Sequence, residues 1–447
     1  MTVWKGLFME KYIEKRIELE KTIDFDEATN LCEGDCYCLY EDNHKISIGI
    51  GCHISIIVTD RHIIIEDKNG MIQETICDLC EDLYRILSSI PLKNWRSYGI
   101  ANFSLARFIY KLDVEHEKSE LLRLFIPQKE IRIDGKRVLL RALNKNDLYE
   151  MEKVIATTSK DVNHTKCDKY IDATKVVNYD KEYYKKIVAI GVKEIQEDKY
   201  QKLILSRKVP LTTKLNMKAT YIKGRQANTP ARSYLCRFEG LEVAGFSPET
   251  VAEVDQNGIV YTFPLAGTRA FTADVEKNEK LRNELLYDTK EIAEHAISVR
   301  LAAEEMQEIC DAKTVAVIHF MSIIERGTVQ HLGSRLRGNL KSGLNSWHAF
   351  CKLFPAVTAS GIPKKEAIEA IGRIEREPRN LYSGSVLIYD ENGSLDGALV
   401  LRSIYQTDNE SWVQVGAGIV NISNPDRKYI ETQEKVSCIA NHLVADN

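Results

Sequence analysis

Apolar residues recur at two different spacings along this chain. Between 36 and 66 they alternate or cluster with β-branched neighbours, which predicts strands at 37–39, 46–50, 54–58 and 63–65. Asn69-Gly70 then marks a tight turn, and the spacing of Ile76, Leu79, Leu83, Ile86 and Leu87 predicts a helix reaching about residue 89. Helical periodicity returns over 183–199. From Lys202 a run of short strands is predicted at 202–207, 233–238, 242–247, 251–254 and 259–262, with Asn257-Gly258 as a hairpin turn. A long helix over 274–310 follows, then strands at 315–320 and 329–337, a turn-rich loop at 355–363 and a helix at 366–375. Strands at 383–389, 397–405 and 412–419 lead to a closing helix over 425–444. The expected fold is α+β: two strand-rich halves, 1–200 and 201–447, packed as layered sheets flanked by helices. No low-complexity linker or residue-level repeat divides the halves, and the length leaves open two or three domains or one large unit. The polar stretch 158–182 is the expected exposed connection.

Charge narrows the partners. Lys and Arg number 61 against 65 Asp and Glu, a net charge of -4 spread evenly along the chain. That balance argues against nucleic acid or an anionic membrane as the main partner. No apolar run is long enough to span a bilayer, and the N-terminus has no signal-like apolar core. Eleven cysteines, an odd number, fit reduced thiols and a cytoplasmic location. Cys32, Cys36 and Cys38 together with Cys77-Asp-Leu-Cys80 raise the question of zinc. Their spacings match no common zinc pattern, and Cys77 and Cys80 fall in an apolar helical run, so buried free thiols are the expectation.

Several segments carry chemistry-bearing side chains, each with a plainer alternative. Glu291, Glu294 and His295 lie within about one helical turn, with both carboxylates on one face, and Glu431, Glu434 and Lys435 form a similar group on the closing helix. Each group also fits a solvated helix face. If the two helices face each other, Glu294 and Glu431 offer hard oxygen ligands to one divalent cation, best Mg2+. Glu249, in the turn Gly245-Phe-Ser-Pro-Glu249, is placed as a general acid or is merely a turn residue. Lys202 opens a strand and is either a proton acceptor in a closed cavity or a snorkelling edge lysine. The loop 354–364 and Gly416-Ala-Gly418 offer close backbone approach to an anion. Arg402 suits a carboxylate clamp or a salt bridge.

Together these segments resemble the chorismate-utilising enzymes, and most closely their salicylate synthase branch. The matching blocks are GFSPE at 245–249, PLAGTR at 264–269, DTKEIAEHAISV at 288–299, ERGTVQHL at 325–332, LFPAVTASGIPK at 353–364, LYSGSVL at 381–387, LDGALVLR at 395–402 and GAGIV at 416–420. The first 200 residues carry little signature and join the same fold through the resemblance alone, which implies a single domain over 1–447. The resemblance implies chorismate as substrate and Mg2+ as cofactor, in a monomer or homodimer serving siderophore synthesis. Lys202 stands where water-adding members keep a general base, and Ala266 where another branch has a nucleophilic lysine. Carried over by position, Lys202 activates water and Glu249 protonates the departing hydroxyl. Glu294 and Glu431 ligate the metal, with Glu291 in its outer shell. Tyr382, Arg402, Gly416 and Gly418 hold the enolpyruvyl carboxylate, and Gly267, Thr268, His331, Thr358, Leu401 and Lys435 line the pocket. The TASGIPK form of the loop points to salicylate rather than to released isochorismate.

One segment departs from the resemblance. In Pro425-Asp-Arg-Lys-Tyr-Ile-Glu-Thr432, Lys428 and Ile430 stand where the family has acids. A lysine there repels a cation, so the expectation is weaker Mg2+ binding with Lys428 paired to Glu291, or a Lys428 turned to solvent.

Overall fold

The computed structural model describes residues 10–113, 120–158, 169–327 and 329–446. Two long strands, Lys45–Val58 and Leu122–Asp134, pair antiparallel along their lengths and organise everything else. The first reads in the sequence as two strands. It is continuous because Gly51 takes a left-handed φ of 69 and a bulge shifts the register between Cys52 and Ile54, which bends the pair.

Each end of the bent pair enters a different sheet. At one end it lies between Tyr37–Asp42 and Arg137–Ala142. From Tyr37–Asp42 the sheet continues through Arg232–Phe238, Leu241–Ser247, Ser403–Gln406, Ser411–Ile419 and Lys202–Leu211. At the other end it lies between His62–Asp67 and Arg96–Ala101. That sheet runs on through Ser385–Asp390, Leu395–Leu399, Thr250–Val254, Ile259–Thr262 and Val329–Asn339. Leu265–Ala270 and Ala316–Arg326 complete it. Both sheets therefore draw strands from both halves of the chain.

The strand period of two fixes the layers. On Tyr37–Asp42, Cys38 and Tyr40 join Tyr98, Phe125, Tyr234 and Val386 in a core between the sheets. Leu39 points the other way, toward a core shared with Val436 and Ile439 of the closing helix. The outer face of the second sheet packs on Leu83 and Ile86 of one helix and on Trp347 and Phe350 of another. The result is α+β: two packed sheets with helices on both outer faces.

Several expectations change. The helix expected over 274–310 is two, Val275–Tyr287 and Thr289–Ile309. Asp288 between them is extended, and its carboxylate accepts the Lys290 and Glu291 amides, so this acid starts a helix rather than continuing one. The strand expected over 397–405 breaks into Leu395–Leu399 and Ser403–Gln406, because Arg402 takes a left-handed φ of 51. After Asn69 a strand, Gly70–Thr75, precedes the helix Leu79–Ser88. Cys77 lies outside that helix and is exposed, while Cys80 is half-buried. The five cysteines do not gather: the Cys38 thiol meets Cys236 at 2.8 Å and Cys80 meets Cys351. Of the expected connection 158–182, residues 159–168 lie outside the described residues. The remainder includes a short helix, Ala173–Val177, with Val176 buried. Among the described residues no helix is long and apolar enough to cross a membrane.

Candidate active site

One cavity collects the side chains that the sequence scatters over 230 residues. Lys202, Glu249, Gly267, Thr268, Glu291, Glu294, His331, Thr358, Tyr382, Leu401, Arg402, Gly416, Gly418, Glu431 and Lys435 all line it. Helix Thr289–Ile309 presents Glu291 and Glu294 across the cavity from Glu431, Lys428 and Lys435 of helix Pro425–Ala440. The floor includes Gly416 and Gly418 of strand Ser411–Ile419. A methyl group on Gly418 would stand 3.1 Å from Glu294 Oε1, and one on Gly416 would stand 2.6 Å from the Leu205 carbonyl. A side chain at Gly418 would crowd Glu294, and one at Gly416 would collide with the Leu205 backbone and press on Tyr382.

Glu249 is 3% exposed, in the turn between Leu241–Ser247 and Thr250–Val254. Burial pushes its carboxyl up to about 7, although several neighbours favour the ionised form. Thr358 Oγ1 donates to Oε1 at 2.7 Å and the Leu265 amide donates to Oε2 at 2.9 Å; Lys202 and Arg402 add positive charge. This carboxyl exchanges a proton near neutral pH, as a general acid must.

Lys202 is 4% exposed, and its ammonium is paired with Glu294 Oε1 at 2.9 Å and contacts Ser298 Oγ at 3.4 Å. It is therefore not a snorkelling edge residue. The Lys202 charge is the main reason that the Glu294 carboxyl lies below its usual range. Glu431 is buried, which opposes its charge. Lys435 at 2.9 Å and Lys428 at 2.8 Å outweigh that burial and hold it well below the carboxylate range. Glu291 moves the other way, raised by burial and by neighbouring Glu294, with Arg269 3.6 Å away.

Lys428 corrects one expectation. It is 6% exposed and paired with Glu431, neither turned to solvent nor joined to Glu291. Glu294 and Glu431 are ionised oxygen donors on facing helices, and that donor set fits a hard divalent cation. Three ammonium groups oppose it: Lys428 and Lys435 on Glu431, and Lys202 on Glu294.

On the opposite wall, Arg402 reaches the cavity through its left-handed backbone. Its guanidinium donates to His331 Nε2 at 2.7 Å and to the Arg326 carbonyl at 3.2 Å. Nε2 is thus an acceptor, so Nδ1 carries the proton and meets the Gly267 carbonyl at 3.2 Å, with Thr268 Oγ1 at 3.1 Å. Burial and the Arg402 charge hold His331 well below its usual range, so it stays a neutral positioner of that arginine. Sequence reasoning missed the Leu265 amide, Ser298 and Arg269. A backbone donor leaves no sequence signal. The register of Leu265–Ala270 against Val329–Asn339 was needed to see it.

The class follows from comparison. The model of the chorismate binding enzyme family matches residues 35–441, and the chain belongs to that family. A salicylate synthase from Mycolicibacterium paratuberculosis is 46% identical over 275 residues, which is 61% of each chain. An anthranilate synthase component 1 from Archaeoglobus fulgidus is 36% identical over 58% of this chain and 61% of its own. The match thus spans about three fifths of each of these curated relatives. Two solved structures share the fold: anthranilate synthase component I from Streptococcus pneumoniae and the menaquinone-specific isochorismate synthase from Escherichia coli. The first has a TM-score of 0.72 at 21% identity, covering 95% of this chain and 99% of its own. The second has a TM-score of 0.71 at 20% identity, covering 96% and 94%.

Proposed function

We propose that this chain is a salicylate synthase, converting chorismate to isochorismate and then to salicylate and pyruvate. Its full span acts as one catalytic domain and supplies salicylate for a siderophore. The observation that carries the reading is Glu249, a buried carboxyl held by Thr358 and the Leu265 amide in the cavity that also holds Lys202, and pushed up to about 7 by its burial.

In the first step Lys202, a base only in its neutral amine form and so only after its ammonium proton has passed to solvent, takes a proton from water as that water's oxygen bonds to ring carbon C2. The C4–O bond breaks with allylic shift of the double bond, and Glu249 donates its proton to the departing hydroxyl, which leaves as water. Thr358 and the Leu265 amide keep Glu249 aimed. Arg402, oriented by His331, and Tyr382 bind the enolpyruvyl carboxylate alongside the Gly416 to Gly418 backbone. Glu294 and Glu431 would hold Mg2+ with Glu291 beside them, and the bound ion supplies positive charge to the ring carboxylate. In the second step the hydrogen on C2 passes to the enolpyruvyl methylene carbon as the C–O bond breaks, releasing pyruvate and the aromatic ring. That step needs orientation by the closed pocket and no added acid or base.

The test is purified protein with chorismate, with and without Mg2+, with salicylate followed by fluorescence and products separated by chromatography. Salicylate and pyruvate in equal amounts support the proposal. Isochorismate as the sole product would reassign the chain to an isochorismate synthase, and absence of turnover would leave it a chorismate-binding protein.

A further inference from the structure

A second cluster of ligating side chains lies away from the cavity and shares no residue with it. Asp78, Cys80 and His348 each offer a ligand atom, and these atoms all lie within 4.8 Å of one another. A fourth donor adjoins them: the buried Cys351 thiol neighbours Cys80, though it lies outside the 4.8 Å set. Asp78 and Cys80 come from the N-terminal turn of helix Leu79–Ser88, and His348 and Cys351 from helix Ser346–Leu353. The i,i+3 spacing of His348 and Cys351 puts both on one face of that helix. From these juxtaposed donors we propose a zinc-type site, with Cys80, Cys351, His348 and Asp78 as ligands to one borderline-soft divalent cation.

The chemistry of the donors selects the ion. Two sulfurs, one imidazole and one carboxylate suit Zn2+ and disfavour Mg2+. Donor atoms around a tetrahedral zinc stand about 3.3–3.8 Å apart, so Asp78, Cys80 and His348 close by a shift of about 1 Å, and the Cys351 sulfur has farther to move. Asp78 caps its helix through Oδ1, which accepts the Cys80 and Glu81 amides, leaving Oδ2 for a metal. His348 is held only by long contacts: its Nδ1 accepts the Asn345 amide at 3.3 Å, and its Nε2 faces Glu81 at 3.4 Å. A metal on Nε2 moves the ring proton to Nδ1 and gives up the first contact. The cap survives, because Asn345 Oδ1 still accepts the Trp347 amide at 3.0 Å. Binding releases two thiol protons, so affinity rises with pH. The ion would tie a helix of the first half of the chain to one of the second, a structural role.

Untagged protein, stripped with chelator and kept reduced, is titrated with Co2+ alone. One Co2+ per chain with intense thiolate-to-cobalt absorption, bleached by added Zn2+, is the expected result. Cys80→Ser and His348→Ala, both at half-buried positions, lose it, whereas Cys77→Ser keeps it. Bound Co2+ also raises the thermal midpoint of wild type and not of Cys80→Ser. Binding without thiolate absorption, absorption that survives Cys80→Ser, or a Cys80–Cys351 disulfide with no metal uptake each overturns the proposal.

Discussion

Replacing Thr358 by valine keeps the side-chain shape and deletes one donor to Glu249. The hydroxyl donates to Oε1 at 2.7 Å, so it favours the ionised carboxylate and opposes the burial that lifts this group to about 7. Without it the protonated form gains and the carboxyl must titrate higher. A hydrogen bond to a charged group contributes about 1.5–3 kcal/mol, and part is recovered when the freed oxygen relaxes. A net loss of about 1.4 kcal/mol displaces titration by about one pH unit, from about 7 to about 8. Glu249 donates a proton in the proposed first step, so activity persists while it is protonated and falls as pH rises through its value. The alkaline limb of kcat/KM for chorismate should therefore move up by about one pH unit in Thr358→Val. At pH 9 the protonated fraction grows from about one in a hundred to about one in ten. The assay is initial-rate salicylate fluorescence from about pH 6 to about pH 10 at saturating Mg2+. An alkaline limb that stays in place, or moves to lower pH, refutes Glu249 as the proton donor governed by this hydrogen bond.

Other substitutions separate the remaining roles. Lys202→Ala should cut isochorismate formation by about a hundred- to ten-thousandfold while leaving pyruvate release from supplied isochorismate, and loss of both rates together would remove the base assignment. Glu294→Gln should slow both steps and weaken Mg2+ binding about tenfold or more by calorimetry; unchanged binding would place the ion elsewhere. Lys428→Glu replaces the ammonium 2.8 Å from Glu431 by a carboxylate, and the apparent Mg2+ affinity should rise about tenfold or more. A flat comparison with wild type would mean that Lys428 swings clear when the ion enters.

The second half of the chain was readable because its chemistry sits where strands end and helices begin. Glu249 follows a Ser-Pro turn, and Lys202 opens a strand. Even the missed break at Asp288 left a trace, since an acid followed three residues later by Glu291 has the form of a helix start. The left-handed Arg402 left none. The first half resisted for a different reason. Strand Leu122–Asp134 carries Arg123, Lys129, Glu130 and Arg132, which spoil any apolar alternation. Glu130 is nevertheless fully buried, satisfied across strands by Tyr98 at 2.9 Å and Arg141 at 3.2 Å and along its own strand by Arg132 at 2.8 Å. A charge that finds its partners only in the finished sheet looks like a loop residue beforehand.

The interleaving of the halves also bears on how the chain reaches this state. Tyr37–Asp42 waits for Arg232–Phe238, and Arg96–Ala101 waits for Ser385–Asp390. As synthesis proceeds, the early strands emerge with their hydrogen-bonding edges unmet until much of the chain has followed. Such long-range pairing slows folding and prolongs the interval in which open edges can meet another chain. A fragment ending near residue 200 keeps those edges permanently open, so it should aggregate when expressed alone and regain solubility when the complementary fragment is co-expressed.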